Sequence, residues 1–282
     1  MAAMFAQGSM GGSSKKADEG LMRHIILNSI RMYNHKFRKA YGSMVIACDG
    51  GSWRRQFFPE YKSSRRASKA ENKSGTDWDE FYRIINTIRD ELRENFPYKV
   101  LQCEYAEADD IIAVLTKHTQ VDFGISDPVM IVSADHDFIQ LQKYPNVRQF
   151  SPLKKKAVTD SRPQQYLNEH IIRGDVGDGV PNVLSPDNTF VAGTRQKPIS
   201  AKKIQAWCQD DLSQMMQAEG DEVFRNFVRN RLMIDFEFIP KSIEDAILKA
   251  DVEAVVPTRD KVFPFLVSKG CHNLVSSCAD FF

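Results

Sequence analysis

Three short apolar runs in this chain end in carboxylates, and that pattern constrains the fold more than any other feature. Residues 129–138 read Val-Met-Ile-Val-Ser-Ala-Asp-His-Asp-Phe. An apolar run bounded by polar residues reads as a buried strand of an α/β protein. Asp135 and Asp137 stand two apart at its end, so in extended chain both side chains share a face. The run at 44–48 is followed by Asp49, and the run at 98–103 by Glu104, Glu107, Asp109 and Asp110. Like charges held together are unfavourable unless a cation lies among them. Open α/β sheets bind ligands at the carboxyl ends of their strands. The expectation is one wall of a divalent-metal site, since carboxylates select hard ions such as Mg²⁺ or Mn²⁺. Taken singly, the same acids also suit helix N-termini, where Asp caps and acids meet unpaired N–H groups.

Helical periods lie between the runs. Residues 21–41 carry Leu21, Ile25, Ile26, Ile30, Tyr33 and Phe37 at helical spacing, and Gly42 ends them. Residues 76–95 turn Trp78, Phe81, Ile84, Ile88 and Leu92 to one face, with Thr76 as the expected cap. Further helices are expected over 107–118, 138–143 and 163–173, and a further strand over 146–150. Strand–helix alternation predicts an α/β fold, a mostly parallel central sheet with helices on both faces. Helices at 201–209, 212–218, 221–233, 241–248 and 259–269 make the rest helical. The expected organisation is a flexible segment over 1–20, an α/β domain over 21–160 and a helical region over 161–282.

Composition excludes several classes. The chain has 282 residues, 42% hydrophobic and 27% charged, as a globular protein with a real core requires. No run of about 18 apolar residues predicts a membrane span. The first residues lack the basic start and apolar core of a signal peptide. The five cysteines are scattered and form no Cys-x-x-Cys pair, which reads as thiols in a reducing cytoplasm rather than a zinc site or disulfide frame. The six histidines are dispersed and read as surface or core residues.

Net charge is only +1, but its distribution is informative. Between 53 and 73 stand Arg54, Arg55, Lys62, Arg65, Arg66, Lys69 and Lys73, interleaved with Trp53, Phe57, Phe58 and Tyr61. Such a segment suits a nucleic-acid channel, with charges on phosphate and rings on bases, or else a solvated surface loop. Gly174-Asp175-Val176-Gly177-Asp178-Gly179 is a glycine-punctuated acidic loop. Lys202 and Lys203, in the first turn of a helix, oppose its dipole and suit an anionic partner such as phosphate, or simply solvent.

These motifs in order resemble a known family. Tyr105-Ala-Glu-Ala-Asp-Asp, Ser133-Ala-Asp-His-Asp-Phe and Gly174-Asp-x-x-Asp178 are similar to the three acidic signatures of the 5′-nuclease (flap endonuclease) family. Met22-Arg-His-Ile-Ile-Leu, Trp53-Arg-Arg, Lys143-Tyr-Pro-Asn-Val and Ile234-Asp-Phe look like its ribonuclease H branch from T-even-type bacteriophages. The resemblance runs from about residue 21 to the end. It implies a PIN-like α/β nuclease domain, a basic arch over 53–75 and a duplex-binding helix–loop–helix over 174–209. It implies a divalent-metal 5′ to 3′ exonuclease and flap endonuclease that removes RNA primers and adjacent DNA in lagging-strand replication. Two Mg²⁺ ions, with Mn²⁺ as a substitute, would be held by Asp49, Asp109, Asp135 and Asp137 and by Glu107, Asp110, Asp175 and Asp178. Arg54 and Lys62 would stand beside the scissile phosphate. Tyr61 would stack on a base, and Arg55, Arg65, Arg66, Lys202 and Lys203 would contact nucleic acid. RNA·DNA hybrid, flap or nicked duplex would be the substrates, in the cytoplasm of a bacterial host. A single-stranded DNA-binding protein and a sliding clamp would be partners. The chain is expected to be a monomer, as no long heptad run is present.

Two features depart from the family pattern. Family members open with a strand ending in an Asp, whereas here Asp18 follows Lys-Lys-Ala in a polar stretch. The first strand and its ligand are therefore expected to be missing. The 178–199 loop, with Pro186, Asp187, Gly193 and Pro198, is not the family's usual turn. The competing expectations are a structure-specific DNA-binding protein without turnover and a PIN-like RNA endonuclease.

Overall fold

The computed structural model describes residues 18–65, 77–122, 127–209 and 211–282. The expected flexible start and missing strand (1–17) and the arch residues Arg66, Lys69 and Lys73 lie outside the described residues. The elements run α1 (Glu19–Tyr41), β1 (Val45–Cys48), α2 (Arg54–Phe57), α3 (Trp78–Asn95), β2 (Lys99–Gln102), α4 (Ala108–Lys117), β3 (Val129–Val132), β4 (Val147–Ser151), β5 (Lys156–Val158), α5 (Pro163–Arg173), α6 (Ala201–Trp207), α7 (Leu212–Ala218), α8 (Asp221–Ile234), α9 (Lys241–Glu253), α10 (Val262–Ser268) and α11 (His272–Val275). A 3-10 helix, His136–Lys143, links β3 to β4.

The chain divides into two compact units that are not contiguous in sequence. One comprises Met1–Cys48, Asn72–Gln102 and Lys249–Phe282; the other comprises Asp49–Glu71 and Cys103–Leu248.

In the first unit, α1 begins where Asp18 Oδ1 accepts from Leu21 N at 3.0 Å. The polar Asp18 is thus a helix cap. Met22 and Leu27 of α1 pack with Phe81, Ile84, Ile88 and Leu92 of α3 and with Phe265, Leu266 and Phe281. Burying each such side chain contributes about 1.5–3 kcal/mol. Arg23 Nε and Nη2 donate to the two oxygens of Glu91 at 2.7 and 3.0 Å inside this layer. Asp77, next to the expected Thr76, caps α3 by accepting from Glu80 N. β1 and β2 pair in parallel, Val45 opposite Lys99 and Cys48 opposite Gln102.

In the second unit, β3 and β4 pair in parallel, and β5, which no apolar run signals, returns antiparallel to β4. The expectation of one central sheet is corrected here: among the described residues the strands form a two-stranded and a three-stranded sheet. An apolar run signals that a strand is covered; it does not specify the edge with which that strand pairs. The helical core of this unit is Phe58, Tyr61, Leu167, Ile171, Val180, Val183, Trp207, Phe227 and Met233 with their neighbours.

α8 carries a row of polar side chains that hold the chain after α5. Asn230 Nδ2 donates to Ile171 O and Pro181 O at 2.7 and 2.9 Å. Asn226 Nδ2 donates to Val183 O and Ser185 O. Arg229 Nη2 donates to Pro181 O, and its Nη1 pairs with Asp187. The irregular backbone of 181–185 has its buried carbonyls satisfied from one helix, which lets a non-helical segment exist inside a core. No helix among the described residues is long and apolar enough to cross a membrane.

Candidate metal centre

Three loops of the second unit carry the acids. The first begins at Asp49, whose Oδ1 accepts from Ala108 N at 2.9 Å, at the start of α4. Gly50 allows the approach: a Cβ there would lie 1.9 Å from Cys103 O. Backbone bonds from Gly50 N to Ala106 O and from Trp53 N to Tyr105 O then lock 49–53 against 103–106. Tyr105 sits at φ 62 in that clasp, with its ring half-exposed.

The second loop follows β3. Asp135 Oδ1 accepts from Asp137 N at 3.0 Å, so Asp135 is the cap of the 3-10 helix as well as a site acid. Two buried glutamines fix this loop. Gln149 Nε2 donates to Ser133 O and Asp135 O. Gln140 Nε2 donates to Asp137 O and Ile234 O.

The third loop is the turn after α5. Gly174 adopts φ 67, and a Cβ there would lie 2.3 Å from Val180 O, so the turn closes only with glycine. Asp175 Oδ1 accepts from Asp178 N at 3.0 Å, and Val180 N bonds to Asp175 O. Lys62, at φ 55, donates its backbone N–H to Asp178 O, which ties this turn to the basic segment.

The expected site acids fall into two environments. Glu107 is surrounded by cations, and Asp110 faces one, Arg54. Glu107 accepts from Arg54 Nη1 at 2.9 Å, Lys62 Nζ at 2.5 Å and Tyr61 OH at 3.0 Å. Burial favours its neutral form, but Lys62 and Arg54 outweigh this and hold the carboxyl below its usual range. Asp110, wholly buried, has Oδ1 2.8 Å from Arg54 Nη1 and Oδ2 accepting from Glu107 N. Burial pushes its carboxyl up against that pairing. Asp178 accepts from Tyr61 OH at 2.8 Å and Arg65 Nη2 at 2.5 Å.

Asp109 and Asp137 are the crowded pair, in which burial and like charge outweigh the nearby cations. Burial, then repulsion from Asp135 and Asp137, pushes the Asp109 carboxyl up to about 7. Burial does the same to Asp137, with Asp135 and Asp175 adding to it and His170 opposing it. Carboxylates crowded out of water in this way gain most from a divalent cation, so the donor set fits one.

His170 of α5, read from sequence as a surface or core residue, stands at this centre. Its Nδ1 lies 3.4 Å from Asp137 Oδ1 and its Nε2 lies 3.5 Å from Asp175 Oδ2. Asp137, His170 and Asp175 each offer a ligand atom within 4.8 Å of the others. Burial disfavours its charge, but Asp175 and Asp137 outweigh that and push the imidazole up. The signal in the sequence was its place in the last turn of the helix that leads into Gly174-Asp175.

Several expected nucleic-acid contacts are placed as follows. Tyr61, expected to stack on a base, is 3% exposed, with its hydroxyl spent on Glu107 and Asp178. Half-exposed Tyr105 and Phe57, 59% exposed, are the aromatics that reach solvent here. Arg54, expected beside the scissile phosphate, is 3% exposed and turned inward, with Nε donating to Met233 O. A buried guanidinium needs acceptors for its donors, and Glu107 and Met233 supply them, with Asp110 as a further counter-charge. Lys203 pairs with Glu219 at 2.8 Å and lies over the Trp207 ring. Arg55 and Lys202 are exposed.

Residues 5–170 match the model of the 5′-3′ exonuclease N-terminal resolvase-like domain, and residues 163–281 match that of the T4 RNase H C-terminal region. The ribonuclease H of Enterobacteria phage T4 is 32% identical over 278 residues, covering 95% of this chain and 88% of the relative. The flap endonuclease Xni of Shewanella sp. strain MR-4 is 28% identical over 152 residues, about half of each chain (50% and 52%). Among solved structures, the bacteriophage T5 flap endonuclease in a pseudo-enzyme–product complex with DNA and metal ions superposes with TM-score 0.60 at 18% identity, covering 90% of this chain and 95% of that one. The T5 protein co-crystallised with metal ions gives TM-score 0.57, covering 86% and 97%. Two family models that together span almost the whole chain, and a relative aligned over nearly its full length, establish that this protein belongs to the 5′-3′ exonuclease, flap endonuclease and RNase H family.

Proposed function

We propose that this protein is a divalent-metal-dependent 5′ to 3′ exonuclease and flap endonuclease that removes RNA primers and adjacent DNA during lagging-strand replication in a bacterial host. The observation that carries the reading is the crowded group of Asp109, Asp135 and Asp137, set beside Asp175 and Asp178 and bordered by Lys62 and Arg65. The resemblance of the chain to a phage ribonuclease H and to flap endonucleases supports the same chemistry.

In this reading Asp49, Asp109, Asp135, Asp137, Asp175 and Asp178 hold two Mg²⁺ ions, with Mn²⁺ as a substitute. Bound ions of this kind activate water and stabilise the leaving oxygen of an in-line displacement. Glu107 and Asp110 act through others. Glu107 anchors Lys62 and Arg54, and Asp110 fixes Arg54 and the start of α4. Lys62, 17% exposed at its side chain, meets the charge of the reacting phosphate from the edge of the acid group. Arg55, Arg65, Arg66, Lys202 and Lys203 contact the nucleic-acid backbone, which sets register without reading sequence. Single-stranded DNA-binding protein and sliding clamp are the proposed partners, and the protein acts as a monomer.

The test is release of a 5′ label from an RNA primer annealed to DNA. Mg²⁺-dependent release that stops in EDTA supports the reading. Firm, salt-sensitive binding without release at any Mg²⁺ or Mn²⁺ level replaces it with a binding protein that lacks turnover. Internal cutting of single-stranded RNA without a free 5′ end points to a PIN-like endonuclease.

A further inference from the structure

We propose that His170 is a metal ligand of this centre, binding through Nδ1 beside Asp137, while Asp175 orients the ring by accepting from Nε2. The inference rests on the metal-dependent reading above and deepens it, because it changes which ions the site prefers.

His170 Nδ1 is 3.4 Å from Asp137 Oδ1. Metal bonds of about 2.0–2.2 Å leave neighbouring donor atoms about 3–3.5 Å apart. The two atoms therefore already have the separation of adjacent ligands, and Asp137 stands in the crowded group of acids with Asp109 and Asp135. The other ring nitrogen faces Asp175 Oδ2 at 3.5 Å. A metal-bound histidine nearly always donates its second N–H to a carboxylate, carbonyl or water, which fixes tautomer and ring plane. Asp175 is itself fixed for that task, with its other oxygen accepting from Asp178 N. The imidazole is brought there by the last turn of α5 and contacts Tyr166 one turn earlier. One nitrogen facing each acid is what a ligand with an orienting partner requires.

An imidazole donor suits transition ions, whereas Mg²⁺ and Ca²⁺ take oxygen. One position of the centre then becomes a mixed nitrogen–oxygen site. Mn²⁺ or Co²⁺ is held more tightly than an all-carboxylate site would hold it, and Mg²⁺ gains little.

The experiment loads the full chain with Mn²⁺ and records pulsed EPR. The expected result is a ¹⁴N coupling from a directly bound imidazole, which changes to the ¹⁵N pattern when histidine is ¹⁵N-labelled. This readout needs no variant. In His170→Gln the coupling disappears, and Mn²⁺ or Co²⁺ affinity by titration drops at least about tenfold. Mg²⁺ affinity, from competition, changes by less than about threefold. Mn²⁺ binding without a nitrogen coupling overturns the proposal and leaves the metal-dependent reading standing. So does tighter Mn²⁺ binding in His170→Gln, which would make His170 a competing counter-ion. Failure of the wild-type chain to bind Mn²⁺ or Mg²⁺ at all overturns both.

Discussion

Arg54 Nη1 lies 2.8 Å from Asp110 Oδ1, with the two side chains only 4% and 0% exposed. The same nitrogen reaches Glu107 Oε2 at 2.9 Å. One buried guanidinium therefore ties α2 to the start of α4, and the burial of the two acids depends on it.

Removing that guanidinium leaves buried charge without a partner. Arg54→Ala is expected to destabilise the protein by about 3–5 kcal/mol. Arg55→Ala, on the exposed neighbour, should stay within about 0.5 kcal/mol. Urea denaturation of both variants measures the difference. Equal midpoints would show that the pair does not hold the loop.

Asp109 and Asp137 predict an unusual pH dependence of the metal-free protein. Both are pushed up to about 7, above their unfolded values near 4. Between those values the folded chain holds protons that the unfolded chain has released, so stability falls as pH rises from about 4 to about 7. His170, also pushed up, acts in the same direction, because its stabilising charge is lost as pH rises through its folded value. Glu107 and Asp175 are held low, and their contribution is lost only in stronger acid. The melting temperature in EDTA should drop from pH 5.5 to pH 8, and Asp137→Asn should flatten the drop and be the more stable protein at pH 8. Adding Mg²⁺ should restore the wild-type chain. A melting temperature that rises over this range in EDTA would refute the assignment.

Asn230 is wholly buried and serves two carbonyls on either side of the acidic turn. Asn230→Ala leaves both without a donor, at a cost of about 1–3 kcal/mol. Hydrogen exchange at 174–185 should quicken in this variant, and cleavage should weaken, because Asp175 and Asp178 stand on the loosened turn. Unchanged exchange would remove α8 from that role.

Asp135→Asn keeps the cap on the 3-10 helix, as the amide oxygen can still accept from Asp137 N, and removes a charge from the centre. Loss of several kcal/mol of transition-state stabilisation lowers 5′-label release by about a hundredfold or more. Binding of a flap duplex should persist. Full cleavage by this variant would sink the proposed function.

Much of this protein is legible in its sequence. Helical periods place α1, α3 and α5, and apolar runs place β1 to β4, because local periodicity reports which face is buried. The acids at 49, 107–110, 135–137 and 175–178 stand out because carboxylates at strand and helix ends are chemistry that spacing reveals. β5 went unread because Lys156-Ala-Val is too short and too polar to signal a strand. The return of residues 249–282 to the unit of α1 and α3 joins segments far apart in sequence, which no local pattern records.

The sequence by itself determined the element types, the order of the acidic motifs and the family, since these depend on local spacing and residue chemistry. Tertiary structure alone decided how the charges are shared. Arg54 and Tyr61 look like surface reagents in a basic, aromatic stretch, yet the fold turns both inward, where Glu107, Asp178 and the Met233 carbonyl accept from them. His170 looks unremarkable in sequence and is carried by α5 to a place between Asp137 and Asp175. Burial and the distance between charges set a side chain's electrostatic role, and both arise only when segments distant in sequence are packed together.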